Sequence, residues 1–141
     1  MRASDVREAI KVAVEAVDPD HQATAVDRFL VMEVGQIVDD MVLQDRMAVI
    51  ILDQPPRRFP GLMIENRYVA TWRIQIAYRE TSVALERIAQ DSERVQWALE
   101  GLTVTETDIA VAEVVGVALD EGDGLVGLFI EITIQYRLTG L

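Results

Sequence analysis

With one histidine and no cysteine, acid–base or metal chemistry in this chain would fall to its 24 Asp and Glu residues, and their spacing limits what they can do. His21 is the only histidine and stands beside Asp18 and Asp20. A structural zinc site takes four ligands, and no second cluster completes this one, so a solvated loop is the preferred reading. Asp120 and Glu131 are spaced like the first and twelfth positions of a calcium loop. Between them, however, Gly122 and Gly124 stand where oxygen-bearing side chains belong, and Leu125 replaces the required glycine. The segment therefore reads as a hairpin turn. Asp39 with Asp40, or Asp53, would serve as a catalytic carboxylate, but nothing fixes a partner at working separation. With no cysteine the chain has no thiolate ligand, thiol nucleophile or disulfide. A nucleophile elbow, a phosphate loop and a dinucleotide fingerprint are all missing from the sequence. Tyr68, Trp72, Tyr78 and Tyr136 would make a base-stacking platform only if they faced outward, and their spacing puts them on apolar strand faces. No enzyme, cofactor or metal is expected.

These residues must be positioned by elements that the hydrophobic spacing makes legible. Ser4 is a candidate N-cap, with Asp5 in the first turn, before Val6, Ala9, Ile10, Ala13, Val14 and Val17 at helical spacing. The helix should end at Asp18-Pro19-Asp20. Arg28–Val34 and Arg46–Leu52 read as strands, neither alternating cleanly. Asp53–Gly61 (DQPPRRFPG) holds three of the four prolines and reads as an exposed excursion with Arg57, Arg58 and Phe59 near its tip.

The second half is plainer. Over Tyr68–Tyr78 the even-numbered positions carry the apolar residues and Thr71, Arg73 and Gln75 the polar face, as in a half-buried strand. A helix is expected from Ser82 to Glu100, with Leu85, Ile88, Ala89, Val95, Leu99 and Leu102 on its apolar side and Gly101 as its stop. Ile109–Leu119 should place Ile109, Val111, Val115, Val117 and Leu119 on one face. Leu125–Leu138 should bury Val126, Leu128, Ile130, Ile132, Ile134, Tyr136 and Leu138, and Asp120–Gly124 should form the turn between these strands. The expected fold is α+β in the order α-β-β-β-α-β-β, an antiparallel sheet with both helices on one face, and residues 1–141 form one domain.

The chain carries a formal net charge of −11 with 50% hydrophobic residues. Such acidity argues against general affinity for nucleic acid, which depends on cations neutralising phosphates. The apolar share exceeds what one small core needs, so contacts between subunits are expected. No stretch reaches the length of a membrane span, and no leader segment is apparent, so a soluble, cytoplasmic protein is expected.

Taken together, the N-terminal helix, the strand Tyr68–Tyr78 (YVATWRIQIAY), the helix Ala84–Leu99 (ALERIAQDSERVQWAL) and the closing strand Phe129–Leu138 (FIEITIQYRL) resemble the tail terminator, or tail completion, family of long-tailed bacteriophages and related gene-transfer particles. The resemblance covers nearly the whole chain and rests on patterns, without a catalytic signature. It implies a homohexameric ring in the virion neck, assembled in the host cytoplasm. Such a ring caps the head-proximal end of the tail tube, stops tube polymerisation and meets the head–tail connector or stopper protein. DNA would pass through its lumen without specific binding. Asp39, Asp40, Asp45, Asp120, Glu121 and Asp123 are then candidate lumenal acids, and Arg57, Arg58 and Phe59 a candidate ring-docking loop. Two alternatives stay open: another neck or tail part, such as a stopper or tube protein, and a small ligand-binding or enzymatic α+β domain.

Overall fold

A computed structural model describes residues 1–17, 30–32, 46–59, 66–79, 84–122 and 124–140. The described elements are α1 (Ala3–Glu15), β1 (Leu30–Met32), β2 (Arg46–Arg58), β3 (Arg67–Arg79), α2 (Ala84–Glu100), the one-turn α3 (Leu102–Thr105), β4 (Ile109–Gly122) and β5 (Leu125–Arg137). This is the expected α+β order, with α3 added after Gly101. The strands form one sheet in the order β1-β2-β3-β5-β4. Four of them run antiparallel, as expected, while the short β1 joins the edge of β2 in parallel.

β3 and β5 form the centre. Their register sets Tyr68, Ala70, Trp72, Ile74, Ile76 and Tyr78 opposite Tyr136, Ile134, Ile132, Ile130, Leu128 and Val126. Directly opposed residues share a face, so two alternating sequences supply one continuous apolar surface. All of these side chains are buried except Tyr68, which is half-buried with its ring 6.4 Å from that of Tyr136. The helices cover this surface. α1 contributes Val6, Ala9, Ile10 and Val14, and α2 contributes Ile88, Val95 and Leu99. Val6, Ile10 and Val14 are four residues apart with Ala9 beside them, and Ile88, Val95 and Leu99 are seven and four apart, so each set falls on one side of its helix.

Several expectations need correction. α1 begins two residues earlier than a Ser4 cap allows: the Arg2 backbone N–H donates to Asp5 Oδ2 at 2.7 Å, so Asp5 closes the first turn and Ser4 lies inside the helix. Leu85 and Ala89 are exposed, so the buried stripe of α2 is narrower than expected. Most of the expected proline-rich excursion is strand. β2 continues to Arg58, and its register skips from Gln54↔Thr71 to Arg57↔Val69, leaving Pro55 and Pro56 in a bulge. A bulge is where a sheet tolerates residues without an N–H, and β1 pairs only with Met47–Val49, well short of this point.

The face assignment on β4 also changes. Irregularities between Ile109 and Val111 and between Val114 and Gly116 each insert one residue. The residues paired with the core face of β5 are therefore Ile109, Ala112, Val114, Val117, Leu119 and Glu121; Val111 turns to the other side and Val115 falls in the second bulge. The hairpin is tighter than expected. Asp120 and Glu121 are in the strand, Gly122 pairs with Leu125, and Gly124 takes φ +75°, a conformation that costs a side-chain-bearing residue energy. The expected turn residue Asp123 lies outside the described residues.

Candidate assembly surfaces

β4 is an edge strand of 14 residues. A long edge presents a row of backbone donors and acceptors to whatever approaches it, and proteins that must avoid pairing blunt such edges with charge, proline or cover. Here Val115 is 53% exposed, Val117 47% and Leu119 53%. The core-facing residues of β5 are buried as far as Val126, whereas Val117 and Leu119, opposite the buried Ile130 and Leu128, are half exposed at the sheet edge. β4 does carry Glu113 on its first half and two bulges, so the exposed apolar stretch is short and local. At its far end come Asp120 and Glu121, both exposed.

A second surface lies on the outer side of the helices, where α1, the C-terminal half of α2 and α3 bound an open groove of about 920 Å³. Its floor is apolar, with Ala9, Val12, Ala13, Val17, Ala98 and Leu102, and Trp97 stands on its wall 83% exposed. Val104, on α3, is 86% exposed. The charges lining the groove are mainly acidic: Asp5, Glu8, Glu93 and Glu106 against Arg94 and the Met1 ammonium, which is 3.7 Å from Asp108. The chain termini tie down this end of the fold. Arg2 Nε donates to the Gly140 carbonyl at 2.7 Å, and Arg137 pairs with Asp108 at 2.9 Å.

The residues expected to act are divided between the two ends of the sheet. Arg57 and Arg58 are exposed on the last residues of β2, opposite Val69 and Tyr68, and Phe59 is half-buried with its backbone N–H bonded to the Arg67 carbonyl at 2.8 Å. They form a fixed corner at the end where β3 begins and β5 ends, not the tip of a free loop. Asp120 and Glu121 lie at the opposite, hairpin end. Asp39, Asp40, Asp45 and Asp123 fall outside the described residues, as does His21. Asp53 is exposed on β2. The calcium-loop comparison fails in space as well: Glu131 faces Gly116, whereas Asp120 faces Gly127, four residues along β5. Tyr78, Tyr136 and Trp72 are buried, consistent with the core reading over a stacking platform.

One polar pair was not expected. Asp91 is 1% exposed on α2 and accepts a hydrogen bond from Tyr78 Oη at 2.9 Å. The signal was present in the spacing, since Asp91 follows Ile88 by three residues and precedes Val95 by four, on the buried stripe. Sealed between helix and sheet, the pair fixes α2 on β3 and offers no open face to a substrate. Among the described residues, no cluster of histidine and carboxylate side chains has the geometry of a metal site. Nor is any described helix long and apolar enough to cross a membrane. Compared with known proteins, the chain matches no protein-family model and none of the curated proteins.

Proposed function

We infer that this chain is a structural subunit that assembles with copies of itself, and that its role is that of a phage tail terminator. In this reading it forms a ring at the head-proximal end of the tail tube, ends tube growth and joins the connector or stopper, making and breaking no bond. The observation that carries the self-association is β4, the edge strand of the sheet among the described residues, whose Val115, Val117 and Leu119 are half exposed. Such an edge is stabilised when a neighbouring subunit covers it, and a ring formed by repeated head-to-tail contacts leaves no edge open. The net charge of −11 supports the second half of the reading, because an acidic lumen repels DNA phosphate and lets the duplex slide. The particular role, terminator in a virion neck, rests on the pattern resemblance of the helices and closing strands.

The test is to incubate the purified chain with tail tubes and image them by electron microscopy. Rings seated at one tube end, with tube growth halted, are expected. Rings that stack along the tube would instead indicate a tube protein, and chains that never bind tubes would contradict the role. A second reading is favoured by the helix groove, which is concave, largely apolar and lined by four carboxylates, as a ligand site can be. In that case a small cationic amphiphile would bind the monomer stoichiometrically and stabilise it against heat.

A further inference from the structure

We propose that the helix groove of one copy receives the Phe59 corner of the next, with Phe59 against the Trp97 wall and Arg57 at the acidic rim. The proposal deepens the assembly reading and rests on it, since it names the contact between copies. Three features of the groove define its occupant. The floor is apolar, Trp97 offers an aromatic surface that is 83% exposed, and the rim is acidic through Asp5, Glu8, Glu93 and Glu106. An aromatic side chain with an adjacent cation matches all three.

The chain itself carries such a segment. Arg57 lies opposite Val69, which lies opposite Gln135, and this register turns Arg57 to the sheet face away from the helices. Phe59, two residues on, continues that side by strand alternation. Pairing of Arg57 and Arg58 with β3 and the Phe59–Arg67 backbone bond hold the corner in place, so little backbone freedom is lost on docking. Charge then selects this corner over the other exposed apolar surface. Two copies of a chain with net charge −11 repel each other in general, and β4 ends in Asp120 and Glu121, which would meet the groove rim with like charge. The arginine corner meets it with opposite charge.

Groove and corner lie on opposite sides of the sheet, so the contact is heterologous. Each copy offers a groove to one neighbour and a corner to the other, and the chain of contacts closes into a ring or runs on as a filament according to the rotation between copies.

The test uses two full-length variants, a corner variant with Arg57→Glu and Phe59→Ala and a groove variant with Glu93→Arg and Trp97→Ala, followed by sedimentation. Each alone should lose self-association at least tenfold. Mixed in equal amounts they should regain association with each other in one-to-one proportion, because one working groove and one working corner remain between them. All four substituted positions are exposed or half-buried, so each variant should keep the wild-type melting temperature within a few degrees, a check that separates a lost contact from a lost fold. Folded variants that assemble like wild type, or a mixture of folded variants that stays monomeric, would overturn the contact while leaving the assembly reading in place. A wild-type chain that is monomeric at all concentrations would remove both.

Discussion

At the scale of single residues, two side chains carry consequences that can be measured. Tyr78 and Asp91 meet inside the fold, and a hydrogen bond to a buried carboxylate stabilises by roughly 1.5–3 kcal/mol. Tyr78→Phe keeps the ring and removes the donor, so chemical denaturation should show a loss of about 2 kcal/mol with the fold unchanged. Burial pushes the Tyr136 phenol above its ordinary value of 10, and neighbouring Tyr68 adds to the shift. The folded state thus favours the protonated phenol. That contribution is fully present below pH 10 and is lost as pH rises through the raised value, because the unfolded chain ionises first. Stability followed upward from pH 9 should fall for the wild type and fall less steeply for Tyr136→Phe. Asp91 was legible only in part. Its place on the apolar stripe of α2 marks it as buried, but its partner lies on β3, and nothing local in the sequence points there.

At the scale of elements, legibility followed the physics of each strand. β3 and β5 sit centrally, each with a regular alternation, and their faces could be read residue by residue. β4 and β2 could not, because bulges break the period of two on which such a reading depends. Ala110 and Val115 each add one residue to β4, so its core-facing set begins at Ile109 and continues at Ala112, Val114, Val117, Leu119 and Glu121. In β2 the prolines signal the end of a strand, yet the bulge between Gln54 and Arg57 lets the strand pass through them. The same irregularities created the corner of Arg57, Arg58 and Phe59, which the sequence placed correctly as exposed for the arginines but wrongly as a loop. The half-exposed part of β4 makes a prediction of its own. Val117→Lys with Leu119→Lys puts charge on an edge while removing little buried surface, so the variant should keep its melting temperature within a few degrees. Its association, measured by sedimentation, should weaken at least tenfold if β4 lies in an interface.

At the scale of the whole molecule, charge and hydrophobicity are distributed unevenly. The exposed arginine corner and the chain termini share one end of the sheet, the exposed acids of the β4–β5 hairpin the other, and the acidic groove lies on the helix side. An assembly that orients every copy alike would place all hairpin acids together. If they line a bore, Asp120→Asn with Glu121→Gln should slow DNA passage or ejection while leaving rings intact, and unchanged ejection would remove these two residues from the lumen. The expected overall architecture, helices on one face of a mainly antiparallel sheet, follows from amphipathic periodicity and was legible. Which apolar residues stay exposed was not, because exposure depends on how the helices and neighbouring strands cover each face of the sheet. The most direct test of self-assembly is the mass of the purified chain in solution, followed by light scattering or sedimentation over a range of concentrations. The account predicts a closed oligomer, six copies of the 15.8 kDa chain, that persists on dilution into the low micromolar range. A particle of one chain's mass at every concentration, with tail tubes present or absent, would contradict it.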